Sequence, residues 1–150
     1  IEVGFGANSL VQDKNGKLWV LSSGSSGQGQ AARLHRIDPA QLEVEQSLSF
    51  SDPGAGPGRL SLNGGGDTLY YLDGDLYRCS IDAGQLPTQP FIAAEGRNLY
   101  GLGIHPQSSE IYLADAKDYV QRGEVYIYRP DGSLRRSFLA GIIPGHIYFD

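Results

Sequence analysis

Leu18-Trp19-Val20-Leu21 returns as Leu69-Tyr70-Tyr71-Leu72 and again as Ile111-Tyr112-Leu113-Ala114. Each stretch is apolar at successive positions, which is the composition of a strand covered on both faces. The step from Trp19 to Tyr70 is 51 residues and from Tyr70 to Tyr112 is 42. Each stretch also keeps the same neighbours. Strand-like residues precede it at 8–13, 59–63 and 100–105, and the turns between, 13–17, 63–67 and 105–110, carry the Gly, Asn, Asp and Pro chemistry of short hairpin loops. A third strand follows at 34–38, 76–82 and 125–129, and a fourth at 44–50, 90–93 and 134–139. A four-strand unit, A to D, therefore occurs three times, at the interval of a four-stranded propeller blade.

The ends repeat as well. Residues 1–13 align without gaps on residues 138–150, with Gly4 on Gly141 and Asp13 on Asp150, an offset of 137 residues. The chain thus opens on the tail of one D strand and closes on the A strand of a further blade. The D strands at 44–50 and 134–138 mix charge with apolar residues, as edge strands do. Helical periodicity is absent, and residues 38–43 allow about one turn before a strand resumes. The expected fold is all-β: a partial β-propeller with blades at 7–50, 58–93 and 99–139 and the next inner strand at 145–150. Three blades are too few to close a ring. The partners expected at the open sides are the remaining blades of a longer parent chain or a second copy of this one. The start at Ile1 without an initiator, with the cut inside a repeat, favours the fragment.

Composition narrows the function classes. The chain has 150 residues, 21 of them Gly and 8 Pro, with 40% hydrophobic residues, enough for a packed core. Lys and Arg number 12 against 17 Asp and Glu, a formal charge of -5, and no basic stripe appears, so nucleic acid is not an expected partner. A single cysteine, Cys79, excludes an internal disulfide and a cysteine-ligated zinc site. No apolar run approaches the length of a transmembrane helix.

The Ile-Asp endings of the C strands, Ile37-Asp38-Pro39 and Ile81-Asp82, each followed by a connector, resemble the YVTN or YncE-like propellers. The third unit, from Tyr100-Gly101-Leu102-Gly103-Ile104-His105-Pro106 through Glu110-Ile111-Tyr112-Leu113-Ala114-Asp115 to Pro130-Asp131-Gly132-Ser133, resembles the propellers of unknown function on gut-bacterial surface lipoproteins. It is also similar to the NHL repeat. The resemblance implies a seven- or eight-bladed parent, exported to the periplasm or cell surface, lipid-anchored in its full-length form and serving as a non-catalytic binding module. Some relatives of that type capture cobalamin for an outer-membrane transporter, so a corrinoid is the specific ligand implied.

In a blade the B–C and D–A loops share one face, where propeller ligands commonly bind. The first B–C loop, 22–32, is long and polar, and the second, Asp73-Gly74, is a tight turn. The third concentrates Asp115, Lys117, Asp118, Tyr119 and Arg122 within a few residues, a set suited to a polar ligand that also stacks. The D–A segments add Arg97 and Tyr100, able to grip a planar or anionic ligand, and His146. For each of these the bland alternative is a turn hydrogen bond or a solvated side chain. His35 and His105 receive no role.

No catalytic residue, metal ligand or cofactor is expected. Residues 13–16 imitate the start of a calcium loop, but Gly24 stands where the closing acid is required. Residues 54–58 imitate a phosphate loop but lack the Lys-Ser/Thr that follows. The enzyme alternative is a metal-dependent lactonase-type hydrolase, for which only Asn8 is suitably placed. A third reading is a scaffold for protein partners. Cys79 reads as a small packed residue.

Overall fold

The computed structural model describes residues 1–150. Eleven strands form three antiparallel sheets. The first holds β1 (Ala7–Gln12), β2 (Leu18–Ser22), β3 (Arg33–Asp38) and β4 (Glu43–Ser49), in that order. The second holds β5 (Gly58–Leu62), β6 (Thr68–Asp73) and β7 (Asp75–Ser80). The third holds β8 (Leu99–Ile104), β9 (Ile111–Asp115), β10 (Arg122–Tyr128) and β11 (Leu134–Ile142). Within each sheet the chain meanders between neighbours. Between sheets β1 touches β5 and β5 touches β8, so the A strands are the inner edges of consecutive blades.

Each inner hairpin is set by the residue that ends its A strand. Asp13 Oδ1 accepts from the Asn15 and Lys17 amides at 2.8 and 3.0 Å, and its Oδ2 accepts from Trp19 Nε1 at 2.8 Å. Asn63 Oδ1 takes the Asp67 and Thr68 amides, and His105 Nδ1 the Gln107 and Ser108 amides. An acceptor in this place replaces the backbone partners that a tight turn cannot supply. His105 is therefore a turn residue. The turns of successive blades also lock together: the Lys14 amide donates to Gly66 O at 2.9 Å, and the Gly64 amide to Ser109 Oγ at 3.0 Å.

The core lies in two seams between sheets. Trp19, Leu21, Leu34 and Leu48 of the first sheet meet Leu60, Leu69, Tyr71, Cys79 and Ile81 of the second. Tyr70, Leu72, Leu76 and Ile92 meet Ile104, Ile111, Leu113 and Tyr128 in the other seam. Successive β6 residues thus alternate between the seams, as side chains on opposite faces of a strand must. That is why the B strands are apolar throughout. Burial pushes the Cys79 thiol up to about 11, which fits a packed residue rather than a nucleophile.

Two expected strands are not built as ladders. The D strand placed at 90–93 shrinks to one bridge, Leu76 with Ile92. Pro87 and Pro90 have no N–H to donate, and the segment around them is too interrupted to extend along β7. Residues 145–150 pair with no strand, since none of residues 1–150 supplies a hairpin partner. They nonetheless run across the third sheet with alternating burial: Ile147 and Phe149 turn inward, and Tyr148 is 88% exposed. Glycines seat them. A Cβ on Gly103 would come within 2.8 Å of Ile147 Cβ, and one on Gly123 within 2.5 Å of Pro144 Cδ. Phe149 closes the contact with its ring edge-on to His105 and Tyr112 at 5.0 and 5.1 Å. Residues 38–43 form an Asx turn without a helix, Asp38 Oδ1 accepting from the Ala40 and Gln41 amides.

Candidate binding face

The B–C loops and D–A connectors share one end of the blades, and a repeated device joins them there. Asp73 Oδ1, at the end of β6, accepts from the Gly56 amide at 3.0 Å. Asp115 Oδ1, at the end of β9, accepts from the Asn98 amide at 3.0 Å and the Lys117 amide at 2.8 Å. Ser22, at the end of β2, donates to Val3 O at 2.5 Å. Asp115 is only 4% exposed. Its carboxylate is the clasp between loop and connector, satisfied inside the fold.

The inner strands carry a second repeat. The ladder slips at Asn8, between Gly58 and Ser61, and at Tyr100. A bulge re-aims the extra residue, and here it turns side chains toward the following blade. Asn8 Nδ2 donates to Pro57 O at 2.9 Å, and Arg59 Nε to Tyr100 O at 2.9 Å. Arg59, at φ +61°, also lays its guanidinium 5.1 Å from the Tyr100 ring centroid. The Tyr100 ring in turn packs against Gly145.

The third B–C loop adds Tyr119. Its backbone is left-handed, at φ +65°, and its ring meets Tyr100 edge-on at 5.7 Å. Tyr119 is 47% exposed and Tyr100 36%. Asp118 holds the bend behind it, Oδ1 accepting from the Val120 and Gln121 amides at 3.0 and 2.9 Å. Those amides hold the Asp118 carboxyl below the usual carboxylate range. The result is an exposed aromatic pair backed by a cation on a turn of fixed shape.

Of the eight residues singled out by sequence, Tyr100 and Tyr119 come together, with Asp115 and Asp118 shaping the turn between them. The others face elsewhere. Arg97 is spent within the fold: its guanidinium donates to Ala93 O, Ala94 O, Glu95 and the Tyr128 hydroxyl, and lies 4.8 Å from the Tyr126 ring centroid. Lys117 Nζ stands 3.9 Å from Glu124 Oε2. Arg122 Nε donates to Ala140 O at 3.1 Å. His146 lines a separate open concavity on the third sheet with Phe138, Tyr148 and Phe149. Arg59 is the partner that sequence reasoning left out of the set. The signal for it was the alignment of the inner strands, which places Arg59 near Asn8 and Tyr100. Its positive φ is not readable from sequence. No three His, Cys, Asp or Glu side chains converge as a metal-holding group.

No family model and no curated protein sequence matches the chain. Among solved structures it is similar to a quinoprotein alcohol dehydrogenase-like protein from Bacteroides thetaiotaomicron, with a TM-score of 0.70 at 17% sequence identity over 88% of this chain. The similarity takes in 33% of that protein, so the chain spans about a third of its length. Together with the three meandering sheets, the likeness defines the fold as consecutive blades of a β-propeller.

Proposed function

We propose that these blades belong to an extracytoplasmic, non-catalytic binding module of the YncE-like type, which captures its ligand on the face formed by the B–C and D–A loops. The observation that carries this reading is the exposed Tyr100–Tyr119 pair with Arg59 stacked on Tyr100. Exposed aromatic faces beside a guanidinium favour a planar ligand with hydrogen-bonding edges, because stacking and cation–π attraction add without demanding a precise donor pattern. Loops held by buried clasps such as Asp115 present the pair without an ordering cost on binding. Within that class a corrinoid is the ligand implied by the resemblance of the third unit to surface-lipoprotein propellers. The remaining blades of a longer parent chain are the proposed partners at the open sheet faces.

Titration with cobalamin, followed through tyrosine and Trp19 fluorescence, tests the ligand class. Saturable quenching is expected, and replacing Tyr119 and Arg59 together by Ala weakens it by about tenfold. Unchanged affinity in that variant removes the third loop from the site. Absence of any binding, together with retention of a protein partner by the same face, would favour the scaffold reading.

A further inference from the structure

A second concavity lies on the same end of the molecule, away from the Tyr100–Tyr119 pair. Where the second blade lacks its outer ladder, a cleft of about 620 Å³ opens between the connector that leaves the first blade and the Asp73-Gly74 turn. Its floor is aromatic. Tyr71 and Tyr77 stack with centroids 5.6 Å apart and planes 9° from parallel, and Phe50 meets Tyr71 edge-on at 5.4 Å. Asp52, Asp73 and Gln85 add polar groups, and no Lys, Arg or His lines the space. Asp52 and Asp73 each commit Oδ1 to a connector amide, of Gly54 and Gly56, so the second oxygen of each carboxylate has no partner within the chain.

Tyr71 points to a ligand independently of the acids. It is 1% exposed, lines the cleft, and makes no hydrogen bond through its hydroxyl. With no partner in the chain, this hydroxyl opens to the cleft and is free to bond a group bound there. Burial, and after it the neighbouring Cys79, Tyr77 and Asp73, push this hydroxyl well above the usual tyrosine range, so it stays protonated as donor and acceptor. Aromatic faces and uncompensated carboxylates repel an anion and attract a desolvated cation.

We propose that this cleft binds a small organic ammonium cation, with Tyr77 as its aromatic wall, the Tyr71 hydroxyl at its floor, and Asp52 and Asp73 supplying the countercharge. The site does not depend on the Tyr100–Tyr119 reading.

Choline serves as the probe in calorimetric titration of the whole chain, with 3,3-dimethylbutan-1-ol as its uncharged isostere and glucose as a hydroxyl-rich control. Saturable binding of choline is expected, with the neutral alcohol weaker by about tenfold. Asp52→Asn with Asp73→Asn keeps both acceptors for the connector amides while removing the charges, and it should weaken choline by about tenfold. An unchanged denaturation midpoint confirms that this variant folds. Tyr77→Leu should weaken choline in the same way, whereas replacing Tyr119 and Arg122 by Ala should leave its affinity unchanged. The proposal is overturned by no saturation up to about 10 mM, by equal binding of choline and the alcohol, by binding of glucose alone, or by full affinity in the folded Asn variant.

Discussion

Strands β6 and β11 are the extremes of one blade plan. In β6 Leu69, Tyr70, Tyr71 and Leu72 are all buried, because a blade lies against each face. In β11 every residue but Ala140 is exposed, and Leu134, Phe138, Leu139 and Ile142 each leave about half their surface in solvent. The second blade sharpens the contrast, since it holds a strand enclosed on both faces while reducing its own fourth strand to one bridge. Stability therefore resides in the B and C strands and the seams they fill, and a D strand is a backbone-paired edge that a blade can give up. Giving it up is also what opens the cleft beside Tyr71 and Tyr77.

The largest expected effect is at the centre of the first seam. Trp19→Ala removes a fully buried ring and leaves Asp13 Oδ2 without its donor, and it should cost about 3–5 kcal/mol in urea denaturation. A cost comparable to that of an edge substitution would break the contrast between inner and outer strands. Next comes the clasp at the end of β9. Asp115→Ala strands the Asn98 and Lys117 amides and should lower stability by about 1–3 kcal/mol, while Asp115→Asn, which keeps an oxygen in place, recovers most of the loss.

A pH effect follows from β3. His35 is 3% exposed, shares Nδ1 with Ser47 Oγ, and leaves Nε2 without a partner. Burial first, and the Arg33 charge second, hold its pKa below the usual histidine value. The unfolded chain therefore binds the proton more readily than the native one, so this contribution to stability is complete above about pH 6.5 and is lost as pH falls through the lower native pKa. Thermal melting between pH 7.5 and 5 should show the decline, and His35→Phe should flatten it. The smallest effect belongs to β11: Phe138→Ser, at a site 48% exposed, should shift stability by no more than about 0.5 kcal/mol. A larger loss would show that the outer strand carries core energy after all.

The three B strands, the hairpin turns and the order of strands were legible in the sequence because each rests on local chemistry: short runs apolar at every position, and Gly, Asn, Asp or Pro at turns. Asp13, Asn63 and His105 stand at one position of the repeat, and their shared turn-capping duty follows from that register. The site was legible only in part. Tyr100 and Tyr119 were singled out by exposure-prone loop chemistry and do meet, whereas Arg97 looked the same in sequence and is consumed by four acceptors within the fold.

By itself the sequence determined that the chain is a threefold repeat of four-strand units with apolar inner strands, because periodicity and turn chemistry are written in neighbouring residues. Only the tertiary structure decided which of the polar residues are spent and which are available. Asp115 is consumed by the Lys117 amide of its own loop and by the Asn98 amide of a connector 17 residues away, and Arg59 reaches Tyr100 across 41 residues through a bulge and a left-handed backbone. The Tyr71 cleft is lined by residues 85–88, where the second blade lacks its fourth strand and Pro87 and Pro90 interrupt the segment that would form it. Such outcomes depend on what a neighbouring blade places opposite each group, and that is a property of packing between repeats rather than of any one repeat.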